Sequence, residues 1–235
     1  MILAVIDTST QFAGVGVADD AGKRVTRAWR SDRNHGRELM PALVESLAEL
    51  SLAPTDITHV AVALGPGGFS AVRVGISTTL GLIVAKKLPV LGVPTHDIEV
   101  EPFRDLVVSG IPVYSLIPAG RQELSWMRHS ETPDDVGPDA QTGVSSPEDF
   151  LDRLEPGALL CGEACDLMVG LVEETRFPNF GMPKFAEHGP GTQRDPNSLL
   201  DIATEKFGAG ASTAYEELRP IYARLPSISR PKPVK

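Results

Sequence analysis

An α/β fold, in which a meander of strands is followed by helical crossovers to further strands, is predicted by three features of the first hundred residues. Three short apolar or alternating segments follow one another with only tight turns between them. Two longer segments with helical character come next, and each is followed by a short apolar segment. Because parallel strands need long crossovers, the order strand-strand-strand-helix-strand-helix-strand predicts a mixed sheet.

The first three segments have the composition of paired β-strands. Residues 2–6 form a compact apolar run, residues 12–18 alternate around two glycines, and residues 23–30 place Val25 and Trp29 among polar neighbours. The turns between these segments are short and polar. Short turns favour antiparallel pairing, so the three strands are expected to form a meander.

The first helix is predicted over residues 37–52, where apolar side chains that include Leu39 and Leu43 fall on one side. Pro41 is unfavourable inside a helix because proline has no backbone N–H to donate. Either the regular helix begins near Met40, or the segment is kinked at the proline. The residues alone leave both interpretations open.

The stretch that organises the chain runs from a strand at 58–64, through the turn Gly65-Pro66-Gly67-Gly68, into a helix at 69–87. Apolar or small residues occupy almost every position of this helix before Lys86, and a helix apolar all round is buried all round. One stripe of the helix can pack on the sheet, and the other is then expected to need a partner. A short strand at 89–93 follows. The two stripes consist of Ala71, Gly75 and Thr78, and of Val72, Ile76, Thr79, Leu80 and Ile83.

The second half of the chain carries weaker signals. A hairpin is predicted from two segments joined by Pro118-Ala119-Gly120-Arg121, and residues 131–147 are rich enough in Pro, Gly and Asp to predict a loop or a ragged edge. A short helix that follows is expected to be capped by Ser145 or Ser146. The elements predicted here are strands at 111–117, 122–129 and 158–161, and helices at 147–154, 162–175, 196–207 and 214–218.

A chain of 235 residues fits either one large domain or two lobes, and the division that we expect is into two lobes. Residues 1–100 form the first lobe, which the C-terminal segment 211–225 is expected to join. Residues 101–210 form the second lobe, residues 177–196 are a connection rich in proline and glycine, and residues 226–235 form a tail.

Composition excludes several classes of protein. The 235 residues carry a net charge of -9, which argues against a broad surface that binds nucleic acid alone, although a small basic patch remains compatible. No apolar run reaches the length of a membrane span, and no signal peptide precedes Asp7, so a cytoplasmic protein is expected. Cys161 and Cys165 are the only cysteines, and small buried residues are their simplest interpretation.

Two segments could hold phosphate. Asp7, Thr8 and Ser9 lie where a strand turns into its hairpin, and such amides and hydroxyls suit an anion while a carboxylate suits a hard cation. Gly65 and Gly67 open a helix whose free amides could also bind an anion. Ordinary turn chemistry explains the first segment equally well, and a sharp turn beneath a close-packed helix explains the second.

No metal site is predicted. None of the five histidines has a second histidine three or four residues away, so the paired helical site typical of metallopeptidases is missing. The glycine turn also lacks the Lys-Ser/Thr pair of a Walker loop.

These motifs together resemble those of the TsaB (YeaZ) family. The resemblance rests on Ile6-Asp7-Thr8-Ser9-Thr10, on His35 before Glu38-Leu39, on the run from Gly65 to Gly75, and on Pro220-Ile221-Tyr222-Ala223-Arg224. It is strongest over the first hundred residues. It implies a shortened actin-like ATPase fold of ribonuclease H-like type, and a role in forming threonylcarbamoyladenosine on tRNA.

The same resemblance implies how such a chain works. Members of the family are non-catalytic partners of TsaD-like subunits and pair through helices of the first lobe. The implied interface residues are Leu39, Leu43, Phe69, Ala71, Val72, Gly75, Ile76, Thr79, Leu80 and Ile83. Homodimers through the same surface compete with this pairing, and a TsaE-like ATPase is a further possible subunit. No cofactor is expected on this chain, because ATP and a metal ion belong to the catalytic partner, and tRNA is contacted only through the complex.

Two alternatives stay open at this point. A small actin-like ATPase or sugar-kinase relative would use Asp7 and the turn from Gly65 to Gly68. A metallopeptidase-like protein is the third interpretation, and the missing histidine pair disfavours it.

Overall fold

Two five-stranded sheets form the framework of the computed structural model, which describes residues 1–120, 122–130, 141–173, 184–185 and 194–224. The first sheet has the strand order β3-β2-β1-β4-β5 and the second β10-β9-β6-β7-β8. The strands of the first sheet are β1 (Leu3–Asp7), β2 (Phe12–Ala18), β3 (Arg24–Arg30), β4 (His59–Ala63) and β5 (Val90–Val93). Those of the second are β6 (Val113–Pro118), β7 (Leu124–His129), β8 (Thr142–Ser145), β9 (Leu159–Cys161) and β10 (Lys184–Phe185).

The register of the first sheet confirms the predicted meander and crossovers. Leu3 pairs with Ala18 in the antiparallel ladder between β1 and β2, and with His59 in the parallel ladder between β1 and β4. Strand β1 is therefore central, and its residues are buried on both faces.

The second sheet contains the predicted hairpin, with Val113 opposite His129 in β6 and β7. Within the range 131–147, which was predicted as a loop or ragged edge, the described residues Thr142–Ser145 form β8, which pairs with β7 at the edge of the sheet. Its sequence Thr-Gly-Val-Ser is too short and polar to signal a strand. Residues 131–140, most of the connection predicted at 177–196, and the tail lie outside the described residues.

Seven helices and four short 3₁₀ turns connect the described strands. The helices are α1 (His35–Glu49), α2 (Phe69–Ile83), α3 (Thr95–Val100), α4 (Arg104–Val108), α5 (Pro147–Leu151), α6 (Asp166–Glu173) and α7 (Pro196–Gly208). The turns are Pro54–Asp56, Glu101–Phe103, Glu163–Cys165 and Tyr215–Glu217. None of the described helices combines the length and apolar character needed to cross a membrane.

Three details refine the predicted helices. Helix α1 runs through Pro41 from His35, so it does not begin near Met40. Ser146 caps α5 by accepting a hydrogen bond from the Asp149 amide at 3.1 Å. Neither α3 nor α4 was predicted, because residues 95–108 mix charged and apolar positions over segments too short to show a helical period.

Helix α7 covers the face of the first sheet opposite α1 and α2. Leu199, Leu200, Ile202 and Ala203 pack in one core cluster with residues of β1, β4 and β5. The division of the chain predicted from sequence placed this helix in the second lobe, and its packing corrects that placement. The C-terminal segment also joins the first sheet, since the Thr213 amide donates to the Val90 carbonyl and the Ile221 amide to the Leu64 carbonyl, both at 2.7 Å.

Candidate functional site

The candidate phosphate residues meet at one edge of the first sheet. Strands β1 and β4 are parallel neighbours, so the turn that follows β1 and the glycine turn that follows β4 lie side by side. The Asp7 carboxylate accepts from the Ser9 amide at 2.8 Å and from the Ser9 hydroxyl at 2.7 Å. The Ser9 carbonyl in turn accepts from the Gly68 amide at 2.6 Å.

The glycine turn is shaped by close packing of backbone. A Cβ atom at Gly67 would lie 1.9 Å from the Ser9 carbonyl oxygen, and one at Gly65 would lie 2.4 Å from the Ile221 carbonyl oxygen. Gly65 also has a φ of +95°, which favours glycine. These contacts support the structural interpretation of the turn. Whether Asp7, Thr8, Ser9, Gly65 and Gly67 also take part in nucleotide binding stays a prediction.

A buried arginine fills the position beside this turn. The Arg194 guanidinium donates from Nε to Asp7 Oδ2 at 2.6 Å, and from Nη2 to the hydroxyls of Ser9 and Thr10 at 2.9 and 3.2 Å. Its Nη1 donates to Glu99 Oε1 and lies 3.3 Å from Glu163 Oε1. The side chain is 4% exposed. We call Asp7, Ser9, Thr10, Glu99, Glu163 and Arg194 the Arg194 cluster.

The cluster places three carboxylates around one guanidinium in a buried setting. Burial would lower the pKa of Arg194, but the charges of Asp7, Glu99 and Glu163 outweigh it and raise that pKa above the ordinary value. Burial raises the pKa of Glu99, and it raises the pKa of Glu163 to about 7, although Arg194 acts in the opposite direction on both. Glu163 also accepts from the Thr10 hydroxyl, while its Oε2 is buried without a partner.

Helix α3 continues the polar contacts toward the second sheet. One turn before Glu99, His96 lies with Nδ1 2.7 Å from the Ser115 hydroxyl and Nε2 3.0 Å from the Ser125 hydroxyl. His129 Nε2 approaches the same Ser115 hydroxyl at 2.8 Å. Burial lowers the pKa of His96 to about 3 and that of His129 to about 4, so both rings are neutral near pH 7.

The geometry commits Asp7 to an ion pair. Both of its oxygens are engaged, Oδ1 by the amide and hydroxyl of Ser9 and Oδ2 by Arg194, so a cation would have to share them with these partners. Among the described residues, no group of three or more His, Cys, Asp or Glu side chains is arranged to hold a metal ion.

Most of the implied interface residues are buried inside the chain. Leu39, Leu43, Val72, Gly75, Ile76, Thr79 and Ile83 belong to its own interior. Their inward position follows from the packing of α1 and α2 on the first sheet, and it corrects the expectation that these side chains contact a partner. Phe69 is exposed, and Ala71 and Leu80 are partly exposed.

The outward sides of α1 and α2 therefore form the candidate interface. Both helices begin beside the turn after β1, because His35 Nε2 donates to the Thr10 carbonyl at 2.7 Å and Gly68 bonds to Ser9. Val44 is 43% exposed and Val84 is 67% exposed. We define the helix face by its exposed residues Val44, Phe69, Arg73, Ser77, Gly81 and Val84.

The C-terminal segment extends the helix face at its α2 end. The rings of Phe69 and Tyr222 stack with centroids 4.9 Å apart, and the Arg73 guanidinium lies 3.8 Å from the Phe69 centroid. Arg73 Nε also donates to the Tyr222 hydroxyl at 2.8 Å. Arg219 and Pro220 line a shallow groove beside this cluster.

Sequence reasoning missed Glu99, Glu163 and Arg194. Arg194 precedes the N-cap Asp195 of α7 in a connection rich in proline and glycine, where an arginine looks like a surface residue. Glu163 stands near the start of a predicted helix and Glu99 in a stretch for which no element was predicted, and neither has a distinctive spacing. The only available signal was the helix cap Asp-Pro, which fixes where the chain enters α7 but not what precedes it.

The two sheets, their strand order and the helices between them define a two-lobed actin-like α/β protein of ribonuclease H-like type. YeaZ from Pseudomonas aeruginosa has a similar structure, with a TM-score of 0.71 at 22% identity over 94% of this chain and 99% of that chain. The predicted fold class is confirmed.

Sequence comparisons assign the chain to a family within that class. The family model of TsaD, tRNA N6-adenosine threonylcarbamoyltransferase, matches residues 30–168. The tRNA threonylcarbamoyladenosine biosynthesis protein TsaB of Escherichia coli strain K12 is 26% identical over 95% of each chain. TsaB of Bacillus subtilis strain 168 is 28% identical over 40% of this chain and 41% of its own length. The chain belongs to the TsaB/YeaZ family, as its motifs predict.

Proposed function

We propose that this chain is the non-catalytic subunit of the machinery that forms threonylcarbamoyladenosine on tRNA. The match to Escherichia coli TsaB, which spans 95% of both chains, is the observation that carries the proposal. The Arg194 cluster supports the accessory role, because the aspartate that would hold a metal ion in an actin-type ATPase is paired with a guanidinium.

The partner we propose is a TsaD-like subunit bound at the helix face. A surface that carries two exposed valines and a phenylalanine beside small residues suits a second helical surface, since small side chains let helix backbones approach closely. The match to the TsaD family model supports two subunits of related fold, and related folds can pack through equivalent helices.

The finer features of the assembly are also proposals. We propose a homodimer through the helix face when the chain is alone, a TsaE-like ATPase as an additional subunit, and tRNA contact only within the complex. ATP and a metal ion are proposed to reside on the catalytic partner, with no cofactor on this chain, and the cytoplasm is the proposed location.

An ATPase or sugar-kinase relative is the alternative from another class, and a metallopeptidase-like protein is a more remote one. The alternative ATPase would require Asp7 and the glycine turn to accept phosphate and a cation. Arg194 and the tight contact between Gly67 and the Ser9 carbonyl both work against that use. Calorimetric titration of the isolated chain with ATP and Mg²⁺ tests it, and tight binding with hydrolysis would favour the ATPase.

Co-purification with a TsaD-like subunit, followed by sizing of the complex, tests the proposal directly. We expect a heterodimer with the wild-type chain and none with Val84→Glu, since a charge in an apolar interface is costly. Glu148→Gln, at an exposed position on α5, is the matched control and should keep pairing. A wild-type chain that stays unpaired with every TsaD-like subunit of its own genome would refute the proposal.

A further inference from the structure

The Arg194 cluster joins parts of the chain that belong to different layers. Asp7 ends β1 in the first sheet, and Ser9 and Thr10 come from the turn after it. Glu163 comes from the turn after β9 in the second sheet, and Glu99 lies on α3 between the two sheets. One side chain, Arg194, contacts all five of these residues.

Helix α3 lies between the two sheets, where Ile98 packs in the core cluster of the first sheet and His96 bonds to the second sheet. His96 contacts Ser115 on β6 and Ser125 on β7, and both contacts are buried. Glu99 stands one turn further along the same helix, next to Ile98. Arg194 therefore contacts the second sheet at Glu163, the helix between the sheets at Glu99, and the first sheet at the turn after β1.

The same turn fixes the beginnings of both helices of the helix face. The Ser9 carbonyl accepts from the Gly68 amide at α2, and the Thr8 hydroxyl donates to the Ala71 carbonyl at 2.7 Å. The Thr10 carbonyl accepts from His35 at the first residue of α1. Any shift of this turn moves the N-terminal ends of α1 and α2 together.

We propose that Arg194 is a positioning residue: its guanidinium latches the two lobes together and, through the turn of Asp7 to Thr10, sets the helix face for its partner. The part of this inference that concerns the partner rests on the proposed function. The latch itself concerns this chain alone.

The chemistry of the guanidinium explains why arginine suits this position. Its five N–H donors lie in one rigid plane, so a single group can bond Asp7, Glu99 and the two hydroxyls at once. A lysine ammonium has three donors around a point and cannot reach the same set. Because the bonds are buried, they are strong only while both sheets stay in place around the cation.

Amide hydrogen exchange of the full chain tests the latch. In Arg194→Met we expect the amides of Ser9 and Gly68 to exchange at least ten-fold faster, while the central strand β4 keeps its wild-type rates. Arg24→Met is the matched control, because Arg24 forms an exposed ion pair with Asp201 of α7 at 2.6 Å. Unchanged exchange at Ser9 and Gly68 in Arg194→Met would overturn the latch.

A conservative variant keeps the test valid if Arg194→Met does not fold. Arg194→Lys preserves the charge but not the planar fork, and we expect exchange at Ser9 and Gly68 between the wild-type rates and a ten-fold increase. Rates equal to those of the wild type in Arg194→Lys would show that the fork is not needed and would overturn the proposal.

The distance between the lobes is a second readout. Spin labels at Asp20→Cys in the first lobe and Glu148→Cys in the second occupy exposed positions, while Cys161 and Cys165 are buried. Double electron–electron resonance should give a narrow distribution of distances between the two labels in the wild-type background and a broader one in Arg194→Met. Equal distributions would contradict a latch between lobes.

Pairing is measured separately so that the two hypotheses can fail independently. With a TsaD-like subunit, we expect Arg194→Met to weaken pairing at least ten-fold although Arg194 lies outside the helix face. Altered exchange with unaltered pairing would refute the positioning of the helix face and leave the proposed function standing. Failure of the wild-type chain to pair would refute the proposed function, while exchange and distances would still decide the latch.

Discussion

Arg194 and Asp7 lie 187 positions apart in sequence, and yet Arg194 Nε and Asp7 Oδ2 are 2.6 Å apart in the fold. Both side chains are buried, with that of Arg194 4% exposed and that of Asp7 8% exposed. A buried ion pair of this kind contributes little net stability relative to apolar packing, but removing one partner leaves an uncompensated charge. Its value to the protein therefore lies in fixing one arrangement of the two lobes.

Glu163 should make the stability of the chain fall as pH rises from about 4.5 to about 7. Burial raises the pKa of Glu163 to about 7 in the folded chain. The folded state therefore holds a proton that the unfolded state releases in this window, so the contribution is complete below the unfolded pKa and is lost as pH passes the folded pKa. The unfolding free energy lost across this pH window is roughly 3 kcal/mol.

Urea unfolding of Glu163→Gln between pH 5 and pH 8 measures this contribution. The glutamine amide resembles the protonated glutamic acid, so the unfolding free energy of the variant should fall less steeply as pH rises. Some slope should remain, because burial also raises the pKa of Glu99. The exposed variant Glu148→Gln should follow the wild-type curve, and an unchanged slope in Glu163→Gln would contradict the prediction.

His96 should act in the opposite direction at lower pH. Burial lowers the pKa of His96 to about 3, well below the ordinary value near 6.5. Stability from the neutral ring is present above the unfolded pKa and is lost as pH falls from 6.5 toward 3, by several kcal/mol in total. We expect His96→Asn to be less stable at pH 7, because Ser115 and Ser125 lose partners, but less sensitive to acid.

Circular dichroism of acid unfolding compares the two chains. The pH at which half of the His96→Asn chains are unfolded should not rise above the wild-type value, even though the variant is less stable at neutral pH. His59→Asn, at the first residue of β4, serves as a control because its ring is only partly buried, although burial lowers the pKa of His59 as well. A wild-type chain whose unfolding free energy is flat between pH 6.5 and pH 4 after the Glu163 contribution is removed would contradict this assignment.

The fold was predictable because its signals are local. The three-strand meander, the glycine turn and α2 each show their period within about fifteen residues, so the order of elements followed directly from the sequence. The partners of Arg194 were not predictable in this way, since they come from three distant segments and none carries a periodic pattern.

The orientation of α2 was likewise hidden from the sequence. Its small-residue stripe and its bulkier stripe are both apolar, so either could face the sheet. Packing decides the matter, with Val72 and Ile76 in the core and Val84 exposed. A helix that is apolar all round is predicted to be buried, but the pattern does not say which of its sides packs on the sheet.

A pair of glutamate substitutions on α2 should therefore have different outcomes. Val72→Glu places a charge in the core and is expected to destabilise the chain by more than about 3 kcal/mol, enough to unfold a marginal domain. Val84→Glu lies on the helix face and should stay within about 0.5 kcal/mol of the wild type. Thermal unfolding distinguishes them, and a folded Val72→Glu chain that only loses pairing would show that Val72 belongs to the interface after all.

Gly75 and Gly81 offer a matched test of close packing along the same helix. A Cβ atom at Gly75 would lie 2.7 Å from the Thr8 hydroxyl, which donates to the Ala71 carbonyl, whereas nothing lies within 4 Å of a Cβ atom at Gly81. Gly75→Ala must displace Thr8 and should cost about 1–3 kcal/mol, partly offset by helix propensity. Gly81→Ala gains only the propensity and should stabilise the chain by about 0.5–1 kcal/mol. Urea unfolding of both variants measures the difference. Equal stabilities would mean that the turn after β1 yields freely at Thr8, and a turn that yields so freely could not set the position of α2.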